Sequence, residues 1–243
     1  MGTAAGGEFD LIRRHFSRAA PQGMLGVGDD CALLAPSAEA TAVSTDLLVE
    51  GRHFFPDVDP RALGHKSLAV NLSDLAAMGA KPTAFVLGLA LPRMDDAWLS
   101  AYAGGLFALA DAHGCPLVGG DTTRSDAGTT LSITIFGSVP AQAALRRSGA
   151  RPGDDIWVSG TLGDADLALR LLLGEREVPV ADRAAVLAAT RRALEWPEPR
   201  VALGLALRGL ASAAIDISDG LLQDLGHILA ASGVGARLRA DDV

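Results

Sequence analysis

The chain has 243 residues, of which 49% are hydrophobic and 21% charged, and its net charge is −8. This length and composition exclude a short peptide scaffold, a disordered chain, a collagen and a coiled coil, and they are typical of a globular protein with one large or two small domains. The 29 acidic residues outnumber the 21 basic ones, so no excess of cations can replace the counterions of a nucleic acid, and we expect no nucleic-acid partner.

The cysteine content and the N-terminal sequence bear on location. Cys31 and Cys115 are the only cysteines and form no CxxC pair, which indicates neither a disulfide framework nor a zinc site. The N-terminus has no basic segment followed by an apolar stretch, and the sequence has no run of eighteen apolar residues. We therefore predict a cytoplasmic protein without a membrane partner.

In the first part of the chain, apolar stretches alternate between the period of a strand and that of a helix. The predicted strands cover residues 23–34, 41–49, 83–91, 116–119 and 130–139, and the predicted helices cover residues 60–79 and 95–113. The strands are rich in Val, Leu and Ile, as buried strands are. This alternation predicts an α/β or α+β fold.

A turn-rich stretch over residues 148–154 predicts a boundary between two domains, residues 1–147 and residues 148–243. Beyond it we predict strands over residues 155–159, 213–217 and 235–239, and helices over residues 163–173, 181–194, 199–211 and 220–232. These strands form little sheet to cover the helices. We therefore expect the second, α/β domain to be incomplete.

The common glycine loops of nucleotide enzymes are absent from the sequence. Residues 64–67 have the ending of the GxxxxGK[ST] loop without its first glycine, and Gly26 and Gly28 are followed by two aspartates, which breaks the GxGxxG pattern. A phosphate ligand must therefore be bound in another way.

Aspartates instead follow or interrupt the apolar strands. They are Asp29, Asp30, Asp46, Asp121, Asp216 and Asp219, with Asp74 on a predicted helix. Two carboxylates 4 Å apart repel each other by about 4 kcal/mol at an effective dielectric constant near 20, so a shared pocket needs a cation. Hard oxygen ligands favour Mg²⁺ or Mn²⁺ over zinc, and Mg²⁺ completes its shell with water and phosphate oxygens. The pattern therefore predicts a polyphosphate site.

Each aspartate also has a simpler explanation. Asp219 precedes a glycine and is typical of a turn or a helix cap, and Asp74 on a helix could face solvent. The run Ser44, Thr45, Asp46 is harder to explain in this way, because three polar residues interrupt an apolar strand where no turn is required. The coincidence of all these positions favours the metal site.

Other residues are candidates for binding an anion. Gly120 before Asp121 lets the backbone approach a ligand closely, although a tight turn is the alternative. Arg147 could pair with a phosphate through its planar guanidinium or be a solvated linker charge. His53 could touch a substrate or have a structural role.

Six runs of residues carry a resemblance to a known family. They are GEFDLI at 7–12, GVGDDCA at 26–32, STD at 44–46, VNLSDLAAMG at 70–79, GGDTT at 119–123 and DISDG at 216–220. Together, in this order and across essentially the whole chain, they resemble the bacterial thiamine-monophosphate kinases. The NLSDLAAMGA and GGDTT runs are specific, whereas GDD or SDG alone would be weak signals.

The resemblance implies ATP-dependent phosphorylation of thiamine monophosphate to thiamine diphosphate, in a superfamily shared with aminoimidazole ribonucleotide synthetase and selenophosphate synthetase. It also implies a homodimer whose N-terminal mixed sheets pair into a barrel, with ATP and several Mg²⁺ ions between the domains. The implied metal ligands are Asp30, Ser44, Thr45, Asp46, Asp74, Asp121, Asp216 and Asp219. The implied nucleotide contacts are Gly120, Asp121, Arg147 and Ser218, and His53 would lie against the thiamine phosphate.

No catalytic side chain is predicted, because the acceptor is already an anionic phosphate oxygen and the barrier lies in bringing two polyanions together in line. Members of the family continue beyond the position of Val243 with an acidic and an aromatic residue that contact thiamine, so we expect this chain by itself to be weak or inactive as a kinase. Two alternatives stay open at this point. One is another ATP-dependent enzyme of the same superfamily, and the other is a non-catalytic module that binds Mg²⁺ and nucleotide and dimerises.

Overall fold

The structure is a computed structural model that describes residues 8–27 and 31–239. Seven helices and four strands are found in these ranges. The helices are α1 (Glu8–His15), α2 (Pro60–Ala77), α3 (Asp96–Ala112), α4 (Asp164–Leu173), α5 (Val180–Glu195), α6 (Val201–Ala206) and α7 (Leu221–Ser232). The strands are β1 (Ala40–Val49), β2 (Lys81–Leu91), β3 (Leu117–Arg124) and β4 (Thr130–Val139).

The four strands form one mixed sheet in the order β1-β4-β2-β3. β4 pairs antiparallel with both β1 and β2, whereas β2 and β3 run parallel and are connected through α3. β1 and β3 therefore lie at opposite edges of the sheet. The predicted α/β class with a mixed sheet is confirmed.

Helix α2 joins the sheet to the rest of the core. Its start is fixed by Asp59, whose side chain accepts a hydrogen bond from the Arg61 backbone N–H at 2.9 Å, and by Pro60 at the first helical position. Its leucines, among them Leu68 and Leu72, are fully buried. Burial of each such side chain contributes about 2 kcal/mol.

Helix α3 packs against α2. At their crossing, a Cβ atom on Gly105 would lie 1.9 Å from the Arg61 carbonyl oxygen, so only glycine allows this approach of the two backbones. On the opposite face of the sheet, apolar side chains of β1 are exposed in the part of the chain that the structure describes. On β1, Val43 and Leu47 are 58% and 54% exposed.

Most predicted elements are confirmed to within two residues at each end, and three differences stand out in the first part of the chain. The strand predicted over residues 23–34 is wrong, because Leu25 and Leu33 exchange two backbone hydrogen bonds and the segment folds back on itself. β3 runs on to Arg124, well beyond the predicted end at residue 119. Helix α1 was not predicted.

Differences are larger after residue 148. The strands predicted over residues 155–159, 213–217 and 235–239 are wrong, because the structure describes all three segments without strand pairing. An extended segment becomes a strand only when a neighbour satisfies its backbone groups. Apolar side chains in these segments remain exposed, and Trp157 is 87% exposed. The helix predicted over residues 199–211 is shorter, as α6 ends at Ala206.

Part of this second half contributes to the main core. Val201 of α6 belongs to the same buried cluster as the leucines of α2. A Cβ atom on Gly204 would lie 2.1 Å from the Ala76 carbonyl oxygen, so α6 lies directly on α2. The division of the chain at residues 147 and 148 stays a prediction. Within the described ranges, no helix combines the length and the apolar character needed to cross a membrane.

Candidate active site

Side chains alternate along a strand, so Ser44 and Asp46 lie on the same face of β1. This face points toward α2, which packs against β1. The Ser44 hydroxyl donates a hydrogen bond to the Asp74 Oδ2 atom on α2. This contact joins the polar interruption of β1 to the NLSD run of α2. The two motifs that the sequence singled out separately therefore lie side by side.

Burial and like charge raise the pKa values of the two carboxyl groups. For Asp74 the pKa rises from 3.8 to about 6, mainly through burial and further through Asp46 and Asp216, while the Ser44 hydroxyl and Arg147 oppose the rise. For Asp46 the pKa is raised by burial and then by Asp216, and His53 opposes this. Three carboxylates, from β1, α2 and the segment before α7, thus act on one another.

Asp216 reaches this group from the far end of the chain. Its Oδ2 atom accepts hydrogen bonds from the Ser73 hydroxyl at 2.9 Å and from the Ser218 hydroxyl at 3.2 Å. Ser73 is the neighbour of Asp74 on α2, so the contact fixes residues more than 140 positions apart against each other. The predicted members Asp216 and Ser218 are therefore brought to the site.

A residue that the sequence analysis missed shapes this segment. The Asp224 carboxylate on α7 is only 5% exposed, and its Oδ2 atom accepts hydrogen bonds from the backbone N–H groups of Ser218, Asp219 and Gly220 at 2.9, 3.0 and 3.1 Å. Asp219 itself is exposed and accepts a hydrogen bond from the Gln223 side chain at 3.0 Å. The signal for Asp224 was its place four residues after Gly220, where it can fold the SDG turn onto the helix start.

His53 lies beside the same group, in the turn that follows β1. Its side chain is exposed, it lies near enough to Asp46 to oppose the rise in the pKa of that carboxyl group, and its Nδ1 atom accepts a hydrogen bond from the Val49 backbone N–H at 3.0 Å. The anionic group is therefore bordered by an imidazole at one end and by Arg147 near Asp74.

Two predicted members are not brought together with these residues. The Thr45 side chain lies on the other face of β1, where its Oγ1 atom is 2.8 Å from the Thr134 Oγ1 atom. Asp121 is exposed on β3 at the opposite edge of the sheet from Asp46. Three strand spacings separate these edges, or about 14 Å. Asp30 lies outside the described residues.

Gly120 is not in a tight turn, since it lies within β3 and faces Leu87 of β2. A Cβ atom at this position would lie 2.0 Å from the Leu87 carbonyl oxygen, with φ at +153°. Only glycine permits this approach. The glycine therefore keeps β3 paired through the GGDTT run and sets the position of Asp121.

Comparisons with known proteins confirm the family resemblance that the sequence motifs carry. Residues 28–139 match the family described as AIR synthase related protein, N-terminal domain. The chain is 51% identical over 239 residues to the thiamine-monophosphate kinase of Salmonella typhimurium, covering 97% of this chain and 72% of that protein. The chain belongs to the thiamine-monophosphate kinase family. It is also 50% identical to the solved thiamine-monophosphate kinase of Stenotrophomonas maltophilia, with a TM-score of 0.78 over 87% of this chain and 67% of that one.

A second solved structure of the thiamine-monophosphate kinase family is informative because of its ligands. It is described as AaThiL complexed with AMPPCP and TMP, and it is 30% identical to this chain with a TM-score of 0.71. It covers 93% of this chain, and this chain covers 69% of it.

The resemblance implies bound magnesium ions, and the donor atoms near Asp74 decide whether this member of the thiamine-monophosphate kinase family could hold them. In the described residues, no three His, Cys, Asp or Glu side chains are gathered closely enough to hold one ion by themselves. The donors near Asp74 are nevertheless carboxylate and hydroxyl oxygens, and repulsion between the carboxylates adds to the effect of burial in raising the pKa values of Asp46 and Asp74. Mg²⁺ is usually bound by one or two carboxylates together with substrate phosphates, so this donor set fits Mg²⁺.

Proposed function

We propose that this chain, as a member of its family, transfers the γ-phosphoryl group of ATP to thiamine monophosphate and forms thiamine diphosphate. The observation that carries the proposal is the meeting of Asp46, Asp74 and Asp216, from three separate parts of the chain, beside Arg147 and His53. Partly buried carboxylates that repel one another are costly to fold, and a site for cations and phosphates offsets this cost. The relative that was solved with AMPPCP and TMP supports these two ligands.

The chemistry requires positioning and charge more than a proton acceptor. The attacking atom is a phosphate oxygen of thiamine monophosphate, which is already ionised at neutral pH, so no side chain has to remove a proton. The attacking oxygen, the phosphorus and the leaving oxygen must lie in line. We assign this alignment to the groups that bind the two phosphate chains from either side.

Mg²⁺, when bound, would neutralise the repulsion between the two polyanions and polarise the transferred phosphoryl group. We propose that Asp46, Asp74 and Asp216 hold these ions, with Asp30, Asp121 and Asp219 as further ligands. The hydroxyl of Ser44 orients Asp74 in the present structure, and a direct ligand role for Ser44 and Thr45 stays a prediction.

The two substrates would approach from different ends of the site. We place the nucleotide phosphates near Arg147, Ser218 and the β3 residues Gly120 and Asp121, and we place the thiamine phosphate near His53. Arg147 lies close enough to lower the pKa of Asp74, and its fork matches a phosphate. The cytoplasmic location stays a prediction from the sequence.

We further propose that the chain works as a homodimer. The exposed face of the sheet, with Val43 and Leu47 on β1, is an apolar strip next to a polar site. Asp121 cannot reach Asp46 within one chain, because β1 and β3 are at opposite edges of the sheet. If two sheets close into a barrel edge to edge, β3 of a second copy meets β1 of the first, and each site acquires Asp121 from its partner.

The dimer is tested by replacing both apolar side chains, Val43→Asp and Leu47→Asp, and measuring the molar mass in solution. We expect the unchanged chain to be a dimer and the double variant a monomer with its helix content preserved. A wild-type chain that stays monomeric at concentrations of about 100 μM contradicts this part of the proposal.

The substrate assignment is tested by ligand binding, because binding does not depend on full turnover by this chain. Thiamine monophosphate, an aminoimidazole ribonucleotide precursor and AMPPCP with Mg²⁺ are compared by thermal shift and calorimetry. We expect thiamine monophosphate and Mg²⁺-AMPPCP to bind and the aminoimidazole compound not to bind. Binding of the aminoimidazole compound in place of thiamine monophosphate indicates another enzyme of the superfamily, and binding of nucleotide alone indicates a non-catalytic module; either result overturns the proposal.

A further inference from the structure

The turn after β1 holds the imidazole of His53 in one defined state. The His53 backbone N–H donates to the Val49 carbonyl at 2.9 Å, and the Val49 backbone N–H donates to the His53 Nδ1 atom at 3.0 Å. A backbone N–H can only donate, so Nδ1 is the acceptor in this contact and Nε2 is the ring nitrogen that remains for a ligand. In the described part of the chain, Nε2 has no hydrogen-bond partner. The ring therefore offers one N–H donor to a ligand.

A lysine on α2 holds the backbone of the same residue. The Lys66 ammonium donates a hydrogen bond to the His53 carbonyl oxygen at 2.9 Å. Lys66 lies on the helix that carries Asp74, eight residues earlier, which corresponds to about 12 Å along the axis. The helix thus supports both ends of the site, with the carboxylates at one end and the histidine turn at the other.

Lys66 is not an ordinary surface lysine. It is partly buried, burial lowers its pKa, and Glu195 opposes that shift. The sequence contains only two lysines, Lys66 and Lys81, among its 21 basic residues. A partly desolvated ammonium costs free energy unless it is hydrogen-bonded, and the His53 carbonyl supplies that bond. A lysine reaches a single carbonyl with one compact charge, whereas the arginine fork suits two parallel acceptors.

We propose that Lys66 is a positioning residue for thiamine-phosphate binding: by holding the His53 carbonyl, its ammonium fixes the turn in which Nδ1 of His53 accepts from the Val49 N–H and Nε2 is left to donate to the substrate. The role rests on the proposed function insofar as it names the ligand. The effect of Lys66 on the ring of His53 can be tested without any ligand.

The first test is ¹⁵N NMR of the histidine rings in the full chain, with His53 assigned by its loss in His53→Gln. We expect the wild-type ring to show the Nε2–H form alone, and Lys66→Met to show a mixture of the two neutral forms or the protonated ring. Lys81→Met is the matched control, because Lys81 is exposed at the start of β2, and it should leave the spectrum unchanged. The signals of His65 and His113 report whether each variant is folded.

The second test is calorimetric binding of thiamine monophosphate and of Mg²⁺-AMPPCP. We expect Lys66→Met to weaken thiamine monophosphate binding about tenfold, the size of one charge-assisted hydrogen bond, and to change nucleotide binding by less than twofold. Lys66→Arg keeps the charge and donor and should recover binding to within about threefold. In a His53→Ala background, Lys66→Met should cause no further loss, since the lysine acts through the histidine.

The results separate the two levels of the claim. An unchanged His53 spectrum in Lys66→Met overturns the positioning role, whatever the binding data show. An equal loss of thiamine monophosphate binding with and without His53 also overturns it, because Lys66 then acts independently. If the wild-type chain shows the Nε2–H form but does not bind thiamine monophosphate, the proposed function fails while the link between Lys66 and His53 stands.

Discussion

The aspartates at the two edges of the sheet lie in different environments. At the β1 edge, Asp46 is partly buried and interacts with Asp74 and Asp216, and serine hydroxyls hydrogen-bond to the latter two. At the β3 edge, Asp121 is exposed beside a glycine that allows close strand pairing. The first edge carries an electrostatic cost that a bound cation would offset, and the second carries an exposed carboxylate that the proposed dimer would bring to the first edge of its partner. In the proposed dimer, the β1 edge of one chain and the β3 edge of its partner are the two halves of one site.

The largest effect is expected from a substitution that sterically blocks the pairing of β3 with β2. Gly120→Ala places a Cβ atom 2.0 Å from the Leu87 carbonyl oxygen, so β3 must move away from β2. We expect a loss of about 3 kcal/mol in the free energy of unfolding, measured by urea titration.

The matched control is Gly104→Ala, because Gly104 is an exposed helical residue whose added Cβ would meet no atom within 4 Å. This change should raise stability by up to about 1 kcal/mol. Equal stability of Gly120→Ala and the wild type would show that the pairing of β3 with β2 does not depend on the close approach of Gly120 to the Leu87 backbone.

The next effect concerns ligand binding at the β1 edge. Asp74→Asn removes a charge at the centre of the carboxylate group while preserving its shape and its contact with Ser44. We expect Mg²⁺-dependent AMPPCP binding to weaken about 100-fold by calorimetry, consistent with loss of a metal ligand.

Asp126→Asn controls for the change in net charge, since Asp126 is exposed in the turn between β3 and β4, and its binding should equal that of the wild type. Unchanged binding in Asp74→Asn would remove this carboxylate from the proposed site.

The smallest effect is on the metal-free protein and depends on pH. The pKa of Asp74 rises to about 6 in the folded chain, so the folded state holds the proton more tightly than the unfolded state does. The contribution of the Asp74 carboxyl group to stability is therefore greatest below about pH 4, and it is lost as the pH rises from 4 to 6. Asp74→Asn does not suffer this loss. After allowance for solvent screening, the variant should be more stable than the wild type by about 1 kcal/mol at pH 7 and equal to it near pH 4.

Thermal unfolding in EDTA across this pH range makes the comparison. A stability difference that grows toward low pH would mean that Asp74 is stabilised as a carboxylate, and it would contradict the shared electrostatic cost.

The sequence could predict what depends on local pattern. The period of the apolar residues set the bounds of α2 and α3 to within two residues. The three polar residues in β1 also pointed to the site before the fold was known. Alternation along the strand shows why only two of the three, Ser44 and Asp46, face α2.

What depends on tertiary pairing could not be predicted. The sequence does not show that β1 and β3 lie at opposite edges of the sheet. The sequence analysis therefore assigned Asp121 and Asp46 to one site without knowing how far apart they lie in one chain. It predicted strands near Trp157 from apolar content, although the described chain offers those segments no partner. Lys66 was missed because its contact to a backbone carbonyl leaves no pattern in side-chain type, and Asp224 was missed because its place four residues after Gly220 is a weak signal by itself.

A mixed dimer tests most directly whether the two edges form one site. Chains carrying Asp46→Asn and Asp121→Asn are differently tagged, coexpressed and purified as the heterodimer, and Mg²⁺-AMPPCP binding is measured by calorimetry. If each site takes Asp46 from one chain and Asp121 from the other, both homodimers lose binding, and the heterodimer regains one site per dimer at wild-type affinity. A heterodimer that binds no better than either homodimer would contradict the shared site.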